Sequence, residues 1–198
     1  MAKKKAESNL ECVTRKITLT GLVDIMFDRY AGDNKTELRT EDKFYFDRDG
    51  MSLVLPAANV VSLLTAQNTP SAPKRFMDSR KYKSAAQAIL SYTIIQPQVI
   101  PFTRNGKPIK FHGFEGEEDP KSGCYIHRAV ARLDKGIPNP KVRPCIPVPW
   151  YLAFELTYYH NSEVQEDTIR NLLIKGGLAI GLGTFRGVYG KFSVSAWD

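Results

Sequence analysis

An α+β fold, an antiparallel sheet with two helices packed on it, is predicted by three observations. Residues 15–25 and 150–159 alternate polar and apolar side chains, as half-buried strands do. Residues 56–67 and 163–175 space their apolar side chains by three and four, the pattern of helices with one buried face. The elements follow one another as strand, helix, strands, then strand, helix and a last strand at 191–197. Without its excursions the chain reads β-α-β-β-α-β, the order of a ferredoxin-like/RRM-like antiparallel sheet with two helices.

The first strand carries Ile17, Leu19 and Ile25 on its apolar side and runs on towards Met26 and Phe27. A polar excursion over 28–40 follows, with Gly32, Asp33 and Asn34 as turn formers. Lys43 to Phe46 suits a short strand, and Asp47-Arg48-Asp49-Gly50 a turn. Pro56 suits the first turn of the first helix, whose apolar positions are Val60, Val61, Leu63 and Leu64. Pro70 and Pro73 break it, and a further helix is expected over 79–88.

Residues 89–100 read as a strand ended by Pro97, Asn105-Gly106 as a hairpin turn, 115–120 as an acidic surface loop and 125–133 as a strand. Residues 135–149 hold five prolines, and no regular core element is expected there. Asn161-Ser162 precedes the second helix as an N-cap signal, and Ile169, Leu172 and Leu173 form its buried face. The expected organisation is a single domain over 1–198, with a core at about 12–67 and 150–198 and a large middle insertion at about 68–149.

Composition narrows the function. The 198 residues carry a formal charge of +7, which favours a polyanionic partner. Cys12, Cys124 and Cys145 are odd in number and form no close pair, which argues against a disulfide framework or a zinc knuckle and for reduced thiols in the cytoplasm. The basic start, Lys3-Lys4-Lys5, is followed by no apolar stretch, so neither a secretory signal nor a membrane partner is expected.

The most informative segment is 176–190, which holds six of the chain's 14 glycines: Gly176, Gly177, Gly181, Gly183, Gly187 and Gly190. Glycine costs backbone entropy, so the cluster needs either positive φ angles or a close approach to the backbone. Lys175, Arg186 and Lys191 flank it, and bare N–H groups beside cations suit a phosphate. A Gly-capped helix followed by a tight crossing explains the same residues structurally. Gly181-Leu182-Gly183 precedes a strand, so it is no dinucleotide fingerprint, and the Gly-Lys-Ser/Thr of a P-loop is absent. A second basic run holds Lys74, Arg75, Arg80, Lys81 and Lys83, with Phe76 and Tyr82 interleaved. A third, from Arg104 to Lys110, is flanked by Phe102 and Phe111, and such rings suit base stacking. A fourth spans Arg128 to Arg143.

Gly181, Arg186, Gly187, Tyr189 and Gly190, in the run GGLAIGLGTFRGVYGKFSV, resemble the C-terminal glycine-rich loop of the RAMP superfamily, ferredoxin-like proteins of CRISPR effector complexes. LVLPAANVVSLL resembles the segment of backbone subunits in which a strand ends in Pro and small residues and opens the first helix. Here Ala57-Ala58-Asn59 replaces the family's usual Gly-Ser-Ser. The resemblance implies an RNA-binding backbone subunit that polymerises along guide RNA with copies of itself and other effector subunits. Its RNA-binding residues would be Lys74, Arg75, Arg80, Lys81, Lys83, Gly181, Gly183, Arg186, Gly187, Gly190 and Lys191, with no cofactor. Some such subunits cleave target RNA through an Asp in the loop before the Leu-Pro segment. Asp42 is the matching candidate, among Asp33, Glu41, Asp47 and Asp49, and a divalent metal enters only in that endonuclease reading. His112, His127 and His160 are scattered without metal spacing. The alternative from another class is a protein-interaction or structural module of the same fold, for example phage- or plasmid-encoded.

Overall fold

The computed structural model of the chain describes residues 11–33, 35–67, 69–132 and 138–198. In chain order the elements are β1 (Glu11–Gly21), β2 (Ile25–Met26), β3 (Val54–Pro56), α1 (Ala57–Thr65), α2 (Ala72–Phe76), α3 (Tyr82–Tyr92), β4 (Thr93–Gln96), β5 (Val99–Arg104), β6 (Lys107–Pro108), β7 (Tyr125–Arg132), β8 (Pro138–Ile146), β9 (Tyr151–His160), α4 (Glu166–Ala179) and β10 (Phe192–Trp197). No helix among the described residues is long and apolar enough to cross a membrane.

The main sheet is antiparallel and runs β10-β1-β9, with β4 pairing one half of β9 and β5 the other; β3 and β6 pair with β5. The order β10-β1-β9-β4 with α1 and α4 is the predicted ferredoxin-like arrangement. The side-chain period of two does the sorting. Ile17, Leu19, Leu152, Phe154 and Leu156 are buried, whereas Lys16, Ala153 and Glu155 are exposed. Val60, Leu63 and Leu64 of α1 and Ile169, Leu172 and Leu173 of α4 join the same core cluster, so both helices cover one face. Each such side chain contributes about 1.5–3 kcal/mol by leaving water.

The described residues 69–132 and 138–149 add more than loops. β4 and β5 pair with β9, and α2 and α3 pack on α1 and α4. The expected strand over 89–100 is divided: α3 continues to Tyr92, and Pro97 separates β4 from β5. Asn105 and Gly106 take φ values of 51° and 74° and turn β5 into β6, as the dipeptide predicts.

Several expectations are corrected. The first strand ends at Gly21, because Trp150 packs there; a Cβ on Gly21 would lie 2.2 Å from the Trp150 ring. Ile25 and Met26 instead pair with β8 in a second, three-stranded sheet, β2-β8-β7. That sheet includes residues 138–146, where the prolines argued against any strand. The prolines fall at alternate positions, 138, 140 and 144. Phe27 N–H donates to the Pro144 carbonyl (3.0 Å), so these positions turn away from β7 and their missing N–H groups cost the β7–β8 ladder nothing. The strand expected from Lys43 to Phe46 is reduced to a single bridge between Phe46 and Leu53; a 3-10 turn, Glu41–Lys43, precedes it, and Lys43 is buried with its ammonium on the Val142 carbonyl (2.7 Å). Within the acidic loop, Asp119 is fully buried and accepts from the amides of His112 and Lys121 and from the Ser122 hydroxyl.

Candidate nucleic-acid interface

The glycine run divides into two parts with different causes. Gly176 and Gly177 belong to α4, which runs to Ala179, four residues beyond the expected helix end at 175. A Cβ on Gly177 would lie 2.6 Å from the Phe192 carbonyl oxygen, so these glycines let α4 lie close on its neighbours. From Ile180 the chain leaves the helix and loops back. Gly181 and Gly190 face each other at φ values of 84° and 71°, and Leu182 N–H donates to the Gly190 carbonyl (3.0 Å). The close approach inferred at these glycines, and at Gly183 beside the Met26 carbonyl, is therefore by the chain's own backbone. Gly187 differs: a Cβ there would meet nothing within 4 Å.

Further backbone bonds brace the loop. Thr184 N–H donates to Met26 (2.8 Å), Gly187 N–H to Ile180 (2.6 Å) and Gly190 N–H to Asp24 (2.8 Å). This braced loop stands opposite the start of α1. Between them runs a groove of about 330 Å³ lined by Ala58, Asn59 and Ser62 on one side and Thr184, Phe185 and Arg186 on the other. Past Gly183 and Thr184 a smaller hollow continues to Asp28 and Tyr45, where Arg29 lies over the Tyr45 ring at 5.6 Å.

The electrostatics of the groove favour an anion. Pro56 supplies no side-chain cap to α1, and no acidic residue stands in its first turn, so nothing local offsets the positive end of the helix dipole. Arg186 is half-buried, forms no ion pair among the described residues, and burial lowers its pKa from the ordinary value. A desolvated cation without a counter-charge is costly, and a phosphate oxygen would relieve it.

The other predicted residues fall into groups. Arg75 is brought to the base of the loop, where its guanidinium reaches the Ala179 carbonyl at the end of α4 (3.3 Å). Lys74, on the same short helix, reaches the Gln67 carbonyl (3.2 Å). Arg80, Lys81 and Lys83 are exposed on the turn and opening of α3, which packs on α1 and α2, and they form no ion pair among the described residues. Lys191 is half-exposed beside the return into β10. The stacking expected at Phe102 and Phe111 is corrected: both rings are buried in the aromatic core, Phe102 edge-on to Trp150 at 5.7 Å and Phe111 to Phe44 at 5.3 Å. In the 128–143 run, Arg128 pairs with Glu117 and Arg143 with Asp28.

Asp42 is held by Arg39 through both carboxylate oxygens (2.8 and 3.2 Å), a pairing that lowers its pKa. Asp33 and Asp49 turn their oxygens into their own loops. No three His, Cys, Asp or Glu side chains converge as cation ligands among the described residues. With a guanidinium on both of its oxygens, Asp42 does not fit a divalent cation. The sequence assigns no contact to Asn59 or Ser62, although both lie in the LVLPAANVVSLL segment, nor to Thr184 or Phe185 in the glycine run. Phe185 alone left a signal there, as a large aromatic within a run of glycines.

No protein-family model matches the sequence, and no curated protein matches it. Among solved structures, the chain is similar to one in a cryo-EM structure of the Type III-B Cmr-beta bound to cognate target RNA. The likeness covers 95% of this chain with a TM-score of 0.60 at 11% sequence identity. It takes in 60% of the other chain, so the present protein spans less than two thirds of that neighbour's length. At this identity the likeness is one of fold: an α+β, ferredoxin-like architecture shared with a chain of an RNA-bound assembly.

Proposed function

We propose that this chain binds the backbone of single-stranded RNA as a backbone subunit of a CRISPR-type ribonucleoprotein effector complex, polymerising along guide RNA with copies of itself and other effector subunits. The observation that carries this reading is the groove between the start of α1, which has no side-chain cap, and the braced glycine loop, with half-buried Arg186 on its wall forming no ion pair among the described residues. Helix N-termini bind phosphate through their partial charges, whereas the loop's own N–H groups at Leu182, Thr184, Gly187 and Gly190 are used within the fold, so the loop's contribution is the Arg186 guanidinium. Arg75 at the base of the loop, Lys74 beside it and Lys191 beyond it would extend the positive path, with Arg80, Lys81 and Lys83 as an outer part. The fold shared with a chain from the Type III-B Cmr-beta bound to cognate target RNA supports the reading. So does the match of Gly181, Arg186, Gly187, Tyr189 and Gly190 to the superfamily's loop.

The test is fluorescence anisotropy with labelled single-stranded RNA at a series of salt concentrations, on the wild type and Arg186→Ala. Loss of one phosphate contact should weaken binding across sequences and reduce the slope of log affinity against log salt by about 0.7. A folded Arg186→Ala protein with unchanged affinity and slope removes Arg186 from the site. Light scattering on nuclease-treated and RNA-loaded samples tests polymerisation, and a strict monomer in both states counts against it.

A further inference from the structure

The tip of the glycine loop carries a residue that its local structure disfavours. Phe185 has a φ of 52°, the left-handed region that bulky residues occupy at a cost, and the residue is 54% exposed. Glycine would remove both the backbone strain and the exposed apolar surface. The loop uses glycine freely elsewhere, yet holds a phenylalanine at this point.

The ring is also placed in a row. Phe185 and Tyr189 lie 5.9 Å apart with 30° between their planes, and Tyr189 lies 5.5 Å from the imidazole of His127 on β7. The Tyr189 hydroxyl and His127 Nδ1 are 3.4 Å apart, and Tyr189 N–H donates to the Phe185 carbonyl (3.3 Å). The row therefore begins on β7, crosses the loop and ends at an exposed ring. Phe185 lines the groove of about 330 Å³ next to Arg186.

We propose that Phe185 is the stacking platform for one unpaired base of a single-stranded nucleic acid, the next member of the row His127, Tyr189, Phe185. The proposal rests on the RNA reading above and adds to it the group recognised and the residue that recognises it. Phe185 and Arg186 line the same groove, so a single nucleotide can place a phosphate against the guanidinium and its base against the ring. Every base has a π-face, so the platform is indifferent to base identity, and a base already stacked in a duplex is excluded by its neighbours.

The experiment measures affinity for three labelled probes of equal phosphate count: a single-stranded RNA, a fully abasic strand and a blunt duplex. The proteins are the wild type, Phe185→Gly and Phe185→Leu, each with a thermal midpoint. Phe185→Gly should melt at or above the wild-type temperature, because glycine relieves the left-handed backbone. It should bind the single-stranded RNA roughly 5- to 100-fold more weakly and the abasic strand as the wild type does. Phe185→Leu, which keeps the strain and apolar bulk without the π-face, should lose affinity with its midpoint unchanged. Wild-type affinity of both variants for single-stranded RNA overturns the proposal, as does an equal loss on the abasic strand. A variant that changes the association state without nucleic acid, with RNA affinity intact, assigns the ring to a protein contact and overturns it too. A wild type that binds neither single-stranded probe refutes the RNA reading itself, whereas one that binds both probes equally refutes only the stacking.

Discussion

Replacing Glu166 by Gln should cost about 2 kcal/mol at neutral pH, and the cost should shrink in acid. Glu166 opens α4, and its carboxylate accepts four hydrogen bonds: from Arg15 Nε and Nη2 (2.7 and 2.8 Å), the Tyr158 hydroxyl (2.7 Å) and the Trp197 indole (2.8 Å). One side chain thus ties β1, β9 and β10 to the helix that covers them. The bonds from Arg15 first, then those from Tyr158 and Trp197, hold the carboxyl well below the usual carboxylate range, at about 2. Against an ordinary glutamate value near 4.3, that shift corresponds to about 3 kcal/mol. The Arg15 and Glu166 side chains are 35% and 31% exposed, and solvent screening reduces the figure to about 2 kcal/mol. The folded-state pKa is the depressed one, so the contribution is full above the ordinary value and is lost as pH falls towards the folded value. Glutamine keeps the shape, but it removes the charge and points an amide donor at groups that are themselves donors. Thermal melts should show a midpoint lower by roughly 4–8 °C for a chain of this size. The gap between wild type and variant should narrow by roughly half from about pH 7 to about pH 3.5. A midpoint within about 1 °C of the wild type at neutral pH, or a gap that is the same at both pH values, would refute the reasoning.

Two glycines ten positions apart should respond in opposite ways. Gly177→Ala places a Cβ against the Phe192 carbonyl and should cost about 1–3 kcal/mol by forcing α4 from β10, with RNA affinity intact wherever the protein is folded. Gly187→Val meets no neighbour but must take a φ of 94°, which costs a β-branched residue about 1–3 kcal/mol, and it enters the face proposed to receive phosphate. Wherever the protein is folded its RNA affinity should fall, and a folded variant with wild-type affinity would return the loop to a purely structural role. Cys12 is exposed, whereas Cys124 and Cys145 are buried with thiols pushed up to about 11 and about 12. A thiol-alkylating reagent should therefore modify one site in the native protein, Cys12, and mass spectrometry that finds modified Cys124 or Cys145 before unfolding would contradict this packing.

Part of the candidate site was legible in the sequence because glycine and charge leave local marks. The run from Gly176 to Gly190 announced an unusual backbone, and Arg186 within it announced a cation. Its division was not legible: Gly177 is small because Phe192 lies against it, and Gly181 because Gly190 returns beside it. Phe102 and Phe111 resembled stacking residues beside a basic run, yet they fill the core, since the sequence does not show which side of a short strand faces inward when its partners are unknown. The opposite wall of the groove, Asn59 and Ser62, lies in the LVLPAANVVSLL segment, but it becomes part of a site only because α1 starts beside the loop.

The sequence by itself determined the class of fold and the identity of its main elements. Periods of two and of about three and a half report directly which positions are buried, and 15–21, 56–65 and 151–159 carry those periods clearly. The hairpin at Asn105-Gly106 was equally local, because positive φ at both positions selects these residues. Tertiary structure alone decided the rest. It ended β1 at Gly21 under Trp150, turned the alternate prolines of β8 away from its ladder, and joined Arg15 to Glu166 across 151 positions. Each of these is a contact between segments far apart in the chain. Such contacts depend on register and on the order of strands, which no local pattern of residues encodes.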